Sequence, residues 1–574
     1  MCLTVLMFFA TTTVADEAET LRNLFEYDWQ WRLRDHPERA TSIGDRRYDD
    51  RLTDRSPDAW ARRREHAREM LTRVQTIDRS KLSEDDKLNY DLFVFQTREE
   101  VDGMRFPAEL TAIDQMDGIH MLLGELAQRM PRDTVEDYEN FIARLRAYPR
   151  AVDQTIELLE RGAHVGVTPP RVVLRSVAEN IANQIVDDPA ASPIYELAFA
   201  RTSVPDGERL RKEVLEALRT DVLPALRKLH KFWTEEYFPK TRETIAWTSV
   251  AQGKEWYAHR VRVETTTDLT PDQIHERGLS EVKRIREEME KVRTSVGFKG
   301  SLAEFFTFLR TDPRFYYDTR EGLLVAYRDI SKRIDPELTR LFGRLPRLPY
   351  GVVPIPAYSE KTNTTAYYNA GSPQANRPGY YFVNLYDLKS RPKWEMEALS
   401  LHEAVPGHHL QIALAQELTN VPKFRRFGGY NAYVEGWALY GESLGPALGM
   451  YTDPYSKFGQ LTYEMWRAVR LVVDTGMHAK GWTRQQAIDY FVANSSKPLH
   501  DIEVEIDRYL AWPGQALGYK LGELKIKELR GRAEKELGPK FDIRAFHDEV
   551  LGAGPLPLSM LEQRIVAWIG EKNR

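Results

Sequence analysis

A mainly α-helical fold with a small β-sheet beside a cleft is predicted by this sequence, on three observations. Apolar residues recur at steps of three and four through most of residues 17–240 and again beyond 391, which is the period of a helix with one buried face. Residues 345–390 lose that period and are rich in Pro, Gly, Asn and aromatics, as short strands and turns are. The segment just after them carries His402-Glu403, an arrangement that metal-dependent hydrolases place on a helix beside a cleft.

Composition narrows the function classes. A chain of 574 residues with 42% hydrophobic and 29% charged residues can bury a large core. Its 81 Lys and Arg are interspersed with 86 Asp and Glu, so no basic surface for nucleic acid is expected. No internal run approaches the roughly 18 apolar residues of a membrane span, and stable membrane insertion is not expected. The one cysteine, Cys2, excludes a disulfide framework and cysteine-rich metal sites, so a metal falls to His and carboxylates.

The opening residues "MCLTVLMFFATTTVADEAET" join a short apolar run to Thr13-Val14-Ala15 and an acidic stretch. They read as a signal segment over 1–16 and imply a periplasmic or secreted protein, although the basic start of such signals is missing and a cytoplasmic chain with a frayed end is the alternative. Residues 17–574 read as one large body: a helical scaffold over 17–240, a mixed helix and strand region over 241–390, and a helical half over 391–574. Within the scaffold, "TVEDYENFIARLRAYPRAVDQTIELLERGA" is a long amphipathic helix with Gly162 near its end. Trp247 to Glu264 alternates more nearly at period two, the strand period. Thr270 then caps a helix that has Pro271 in first place. In the mixed region "GYYFVNL" is the best strand, and it leads into "RPKWEMEALSLHEA". Thr483 with Gln486 three residues later has the form of a capping box.

Catalytic zinc is typically held by three protein ligands, with a fourth position left for water. The metal lowers the pKa of that water to near 7, and a neighbouring carboxylate takes its proton as it attacks a carbonyl. His402 and Glu403 supply one ligand and that base. The second histidine is displaced by two residues from the usual His-Glu-x-x-His spacing, because "HEAVPGHH" places Pro406 there. On a straight helix His409 would lie within about 20° of His402 and His408 about 120° away. Pro406 lacks an N–H and Gly407 loosens the backbone, so a break between Glu403 and His408 is expected. Such a break loops out two residues and makes His408 the second ligand, with His409 as its rival. Downstream, "YVEGWALYGESLG" holds Glu435 and Glu442 seven residues apart on nearly the same helix face. If buried, acids there need partners: a metal for Glu435, and a ligand histidine for Glu442; an exposed acidic stripe is the alternative.

These segments resemble the bacterial domain-of-unknown-function 885 family, whose members carry "HEAxPGHH" followed by "EGWALYxE". That family is in turn similar to helical gluzincin zinc metallopeptidases of the carboxypeptidase Taq and thimet oligopeptidase type, and "RYLAWPGQALGYKLGELKI" is similar to a carboxypeptidase Taq segment. The first resemblance covers most of the chain, and the second about 380 to 530. It implies a large helical zincin-like fold, Zn2+ as cofactor, His402, His408 and Glu435 as ligands, Glu403 as general base and Glu442 behind a ligand histidine. For the hydrogen-bond donor that a developing oxyanion needs, Tyr519 stands in the place of the peptidases' tyrosine, followed by Tyr509 and His478. The resemblance also makes "GYYFVNL" a strand that pairs with extended substrate, so that Tyr380, Tyr381 and Asn384 border the cleft; the alternative is that the strand's aromatics belong to the core. Arg467 and Arg470 are placed to hold a substrate carboxylate or to pair with Asp474 and Glu464; His478 equally suits a helix end.

Taken together, the readings point to a zinc metallopeptidase acting on a peptide or small amide substrate. An amidase or deacylase of small N-acyl amino acids shares the same chemistry, and a non-catalytic helical peptide-binding protein with a degenerate site is the other class. The pattern sets no oligomeric state.

Overall fold

The computed structural model describes residues 16–199, 203–356, 360–361 and 364–574. Nearly all of the segment read as a signal, Cys2 included, lies outside them. The structure is 71% helix and, among the described residues, has one small three-stranded sheet. Its largest apolar cluster draws side chains from Leu21 to Ile569. Among the described residues no helix is long and apolar enough to cross a membrane.

Local sequence rules account for the helix ends. Helix α1 (Val135–Val165) starts in a capping box between Thr134 and Asp137 and stops where Gly166 adopts φ 73°, a backbone that glycine takes without steric cost. The segment read at period two is instead helix α2 (Gly253–Thr265). Trp256, Tyr257 and Val261 are all buried in it, and the step of four between Tyr257 and Val261 belongs to a helix face; the apparent alternation came from charged residues falling between them. Helix α3 (Pro271–Ser295) has the expected Thr270 cap, reciprocated by Gln273.

The sheet comprises β1 (Tyr350–Pro354), β2 (Ala366–Asn369) and β3 (Gly379–Val383). Its order is β1-β3-β2, with β3 parallel to β1 and antiparallel to β2. Because β3 is the middle strand, both of its hydrogen-bonding edges are already used. That corrects the expectation that an extended substrate pairs with "GYYFVNL"; among the described residues β1 and β2 are the edge strands.

Beyond the sheet come α4 (Met396–Glu403), α5 (His408–Glu417), α6 (Asn431–Ser443), α7 (Pro454–Ala479), α8 (Leu499–Ala511) and α9 (Leu517–Leu537). Helices α6 and α9 touch backbone to backbone: a Cβ on Gly436 would lie 2.4 Å from Gly522 Cα, and one on Gly522 only 1.8 Å from Ala432 O. Only glycines permit this approach. It brings Glu435 on one helix beside Tyr519 on the other.

Candidate metal centre

The His-Glu helix does break where the proline and glycine stand. Helix α4 ends at Glu403, Ala404 adopts φ −96°, ψ −105°, and α5 begins at His408. The turn is closed by His409 N–H donating to Ala404 O at 3.0 Å and by Trp437 Nε1–H donating to Pro406 O at 2.8 Å. A Cβ at residue 407 would sit 1.9 Å from His402 O, so glycine is required there on packing grounds alone.

This turn brings His402, His408 and Glu435 together, with one donor atom from each lying within 4.8 Å of the others. Glu435 Oε2 is 3.6 Å from His402 Nε2 and 3.4 Å from His408 Nε2. These are too long for hydrogen bonds and suit three atoms that surround a common centre. The side chains are 3%, 12% and 18% exposed, respectively, so the cluster is enclosed on the His402 side and reachable from the other. Glu435 Oε2 is buried with no hydrogen-bond partner. Burial pushes the Glu435 carboxyl up, but the facing imidazoles of His408 and His402 outweigh it and hold the group well below the usual carboxylate range. Burial likewise disfavours a charged His402, yet Glu435 and Glu442 raise it to about 9. The pocket therefore favours a positive charge among these three side chains. A two-nitrogen, one-oxygen donor set of this kind fits zinc.

The surroundings orient the side chains of the cluster. His402 Nδ1–H donates to Glu442 Oε1 at 2.8 Å, which leaves Nε2 as the nitrogen facing the cluster. Glu442 is fully buried, and Arg467 Nη2 lies 3.6 Å from the same oxygen. Tyr519 is nearly parallel to His402, with ring centroids 6.3 Å apart. Burial, reinforced by the charge of Glu435, raises its phenol above the ordinary value, so it keeps its proton. Glu403 ends α4, buried, one residue beyond His402, and its charge helps to raise the phenol of Tyr381.

Other candidates serve different tasks. His409 is bonded through Nδ1 to Tyr368 Oη at 2.9 Å and lowered by burial to about 4, so it packs against β2 while His408 faces Glu435. His478 accepts from Trp247 N–H at Nδ1 and bonds Tyr509 O through Nε2. Both its nitrogens are spent on backbone, which corrects its reading as an oxyanion donor. Tyr509 Oη receives Trp466 Nε1–H and Arg470 Nε–H and donates to Glu505 at 2.6 Å, a full complement that turns it away from any oxyanion as well. Tyr381 is buried on the inner face of β3 and Tyr380 half-buried on the other. Asn384 is buried, donating to Glu360 O and Thr364 O and accepting from Tyr386 N–H; it braces a loop instead of lining a cleft. Arg470 pairs with Glu505, and neither it nor Arg467 pairs with Asp474 or Glu464. Asp474 accepts from Tyr257 and Gly514, and Glu464 from Lys520.

Sequence reading missed Trp437 as the clamp on the turn, although it lies inside "EGWALY". It also missed Tyr451, whose hydroxyl donates to Glu442 O at 2.9 Å. A second strut runs from Arg508 through Gln515 to Asn431, one turn ahead of Glu435; no spacing rule links those three positions.

Residues 37–565 match the model of the family described as "Bacterial protein of unknown function (DUF885)". No curated protein matches the chain. Among solved structures it is similar to a "putative lipoprotein from Colwellia psychrerythraea", with 30% identity, TM-score 0.92, and 97% of this chain and 100% of that one covered. A second, "a putative lipoprotein of unknown function from Shewanella oneidensis", shares the fold at 16% identity and TM-score 0.67, covering 96% of this chain and 100% of that one.

Proposed function

Since the chain belongs to the bacterial family of unknown function DUF885, its activity has to be argued from its own side chains, and we propose that it is a zinc-dependent hydrolase of peptide bonds. The observation that carries this reading is the convergence of His402 Nε2, His408 Nε2 and Glu435 Oε2, with the carboxylate oxygen buried and unpartnered. The helical body with a small sheet ahead of the His-Glu helix supports placing the fold with the gluzincins. The likeness to proteins described as lipoproteins supports a location outside the cytoplasm.

His402, His408 and Glu435 would hold the metal, which when bound supplies Lewis acidity and makes water nucleophilic at neutral pH. Glu442 fixes the tautomer of His402 and so its facing nitrogen. Glu403 accepts the proton that water gives up and returns it to the leaving amine. Tyr519, protonated beside the cluster, donates to the oxygen on which negative charge develops.

The test is elemental analysis of purified protein together with turnover of a peptide panel. One zinc per chain is expected, with hydrolysis by the parent and a loss of at least about a hundredfold in Glu403→Gln at unchanged zinc content. Protein that binds no zinc, or a Glu403→Gln variant as active as its parent, would overturn the proposal.

A further inference from the structure

A second cavity lies where the N-terminal half of the chain meets the start of α6. Its volume is about 800 Å³, within the range of about 300–1,000 Å³ that small-molecule sites occupy. Residues of the helices Glu17–Asp35, Pro57–Gln75 and Glu84–Gly103 form its walls, together with α2 and the segment from Phe424 to Asn431. None of His402, Glu403, His408, Glu435 and Tyr519 borders it. Trp31, Trp60, Phe95, Phe106, Trp256 and Tyr430 do, and their rings offer flat apolar surface to a ligand.

The charges in this lining do not balance. Arg32, Arg63, Arg64 and Arg260 pair with Glu100, Asp35, Glu109 and Glu264. Arg39 and Arg425 line the cavity as well, and among the described residues neither touches a carboxylate. Arg39 Nη2 reaches Phe427 O at 3.4 Å. Arg425 donates Nη1 to Asn89 Oδ1 at 2.6 Å and Nη2 to Ala553 O. All of these acceptors are neutral. Arg425 is only 7% exposed, and burial pushes its guanidinium down to about 10. A buried cation that lacks a counter-charge is costly to the fold unless something else supplies one.

The hydrogen-bonding groups are unmet in the same sense. Arg425 Nε and Trp60 Nε1 are buried with no hydrogen-bond partner, and both are donors. Buried donors are rarely left so. Helix α6, 13 residues long, has no side chain capping its start, and Gly428 and Gly429 just ahead of it are exposed and line the cavity. Such a helix start presents backbone N–H groups and the positive end of the dipole. Two unbalanced guanidinium groups, two spare donors and an open helix start all ask for oxygen atoms that carry negative charge.

We propose that this cavity binds a small organic anion. Its carboxylate or phosphate group meets Arg425, Arg39 and the start of α6, and its flat apolar body lies against the tryptophan rings. The site is separate from the metal centre, so anion binding stands whether or not the hydrolase reading does. Carboxylate and phosphate share the chemistry that the arginine fork recognises, and the test separates them.

Calorimetric titration of the full chain is made with 2-naphthoate, 2-naphthyl phosphate, the neutral 2-naphthamide and inorganic phosphate. At least one naphthyl anion is expected to bind at least about tenfold more tightly than either naphthamide or inorganic phosphate, and the tighter of the two identifies the headgroup. Arg425→Met should bring the ratio of anion to amide near one. Arg39 is exposed, so Arg39→Met leaves the core untouched; it should weaken the anion at least about threefold with naphthamide unchanged, and it carries the test if the Arg425 variant does not fold. His408→Ala, which removes a side chain of the metal cluster, should leave every affinity as it was. Absence of anion binding, naphthamide or inorganic phosphate binding as tightly as the naphthyl anions, or an unchanged ratio in the arginine variants would each overturn the proposal. Loss of anion binding in His408→Ala would overturn it too, because the probe would then sit at the metal centre.

Discussion

Replacing Glu442 by glutamine separates the task of holding a ligand from the task of being one. The amide has the shape of the carboxylate, and its oxygen still accepts from His402 Nδ1–H, now 2.8 Å from Oε1. What disappears is the negative charge that makes the imidazole a stronger donor to a metal and offsets Arg467 at 3.6 Å. Loss of such an outer partner typically weakens metal binding about 10–100-fold, or about 1.4–2.7 kcal/mol. Because the hydrogen bond survives, Glu442→Gln belongs near the lower figure and Glu442→Ala near the upper. Removing one partner of a buried charge pair costs about 3–5 kcal/mol of stability, and the length of the Arg467 contact puts this case at about 3 kcal/mol or below. Competition with a chromophoric zinc chelator measures the first effect, and urea unfolding of metal-free protein the second. A Glu442→Gln protein that holds zinc within about twofold of its parent would refute the argument, whatever happens to its stability.

Two further outcomes follow from the packing. Gly407→Ala places a methyl group 1.9 Å from His402 O, so the turn has to open; zinc stoichiometry should fall well below one while far-ultraviolet circular dichroism keeps its helical signature, and full zinc loading would show that the turn is not what positions His408. His478 is held neutral by burial, down to about 4, so its contribution to stability is present above its unfolded value of about 6.5 and is lost as pH falls toward 4. His478→Gln should therefore flatten the pH dependence of urea stability by about 1.4 kcal/mol per pH unit across that window, and an unchanged slope would mean that the buried imidazole is not the group that titrates.

Much of this was legible in the residues. Helical periodicity, the caps at Thr270 and Thr483 and the strand composition of 345–390 are local signals, and the structure has each of them. The break after Glu403 was legible for the same reason, since proline and glycine act on their own backbone. Strand order was not: that β3 lies between β1 and β2 depends on a return of the chain through residues between 354 and 379, which leaves no mark on β3 itself. The roles of His478 and Tyr509 were hidden likewise. Each is committed by partners hundreds or tens of residues away, Trp247 for the one and Arg470 with Trp466 for the other, and a side chain's type does not disclose whether its valences are already met.

The helix that contributes only one atom to the cluster organises the rest. From α6, Glu435 supplies the carboxylate oxygen, Trp437 pins Pro406 and so the turn that aims His408, and Glu442 fixes the ring of His402. Glu435 and Glu442, two turns apart, face α4 together, while Gly436 on the same helix is pressed against Gly522 of α9 and sets the distance to Tyr519. A displacement of α6 thus moves all three donor atoms and the tyrosine at once. Ligand geometry held by one rigid element loses little conformational freedom when a cation enters, because most of that freedom was given up on folding. The two residues inserted into the His-Glu motif fit this scheme. Pro406 O is the acceptor for Trp437, so the insertion that displaces the second histidine also provides the contact that returns it to the centre.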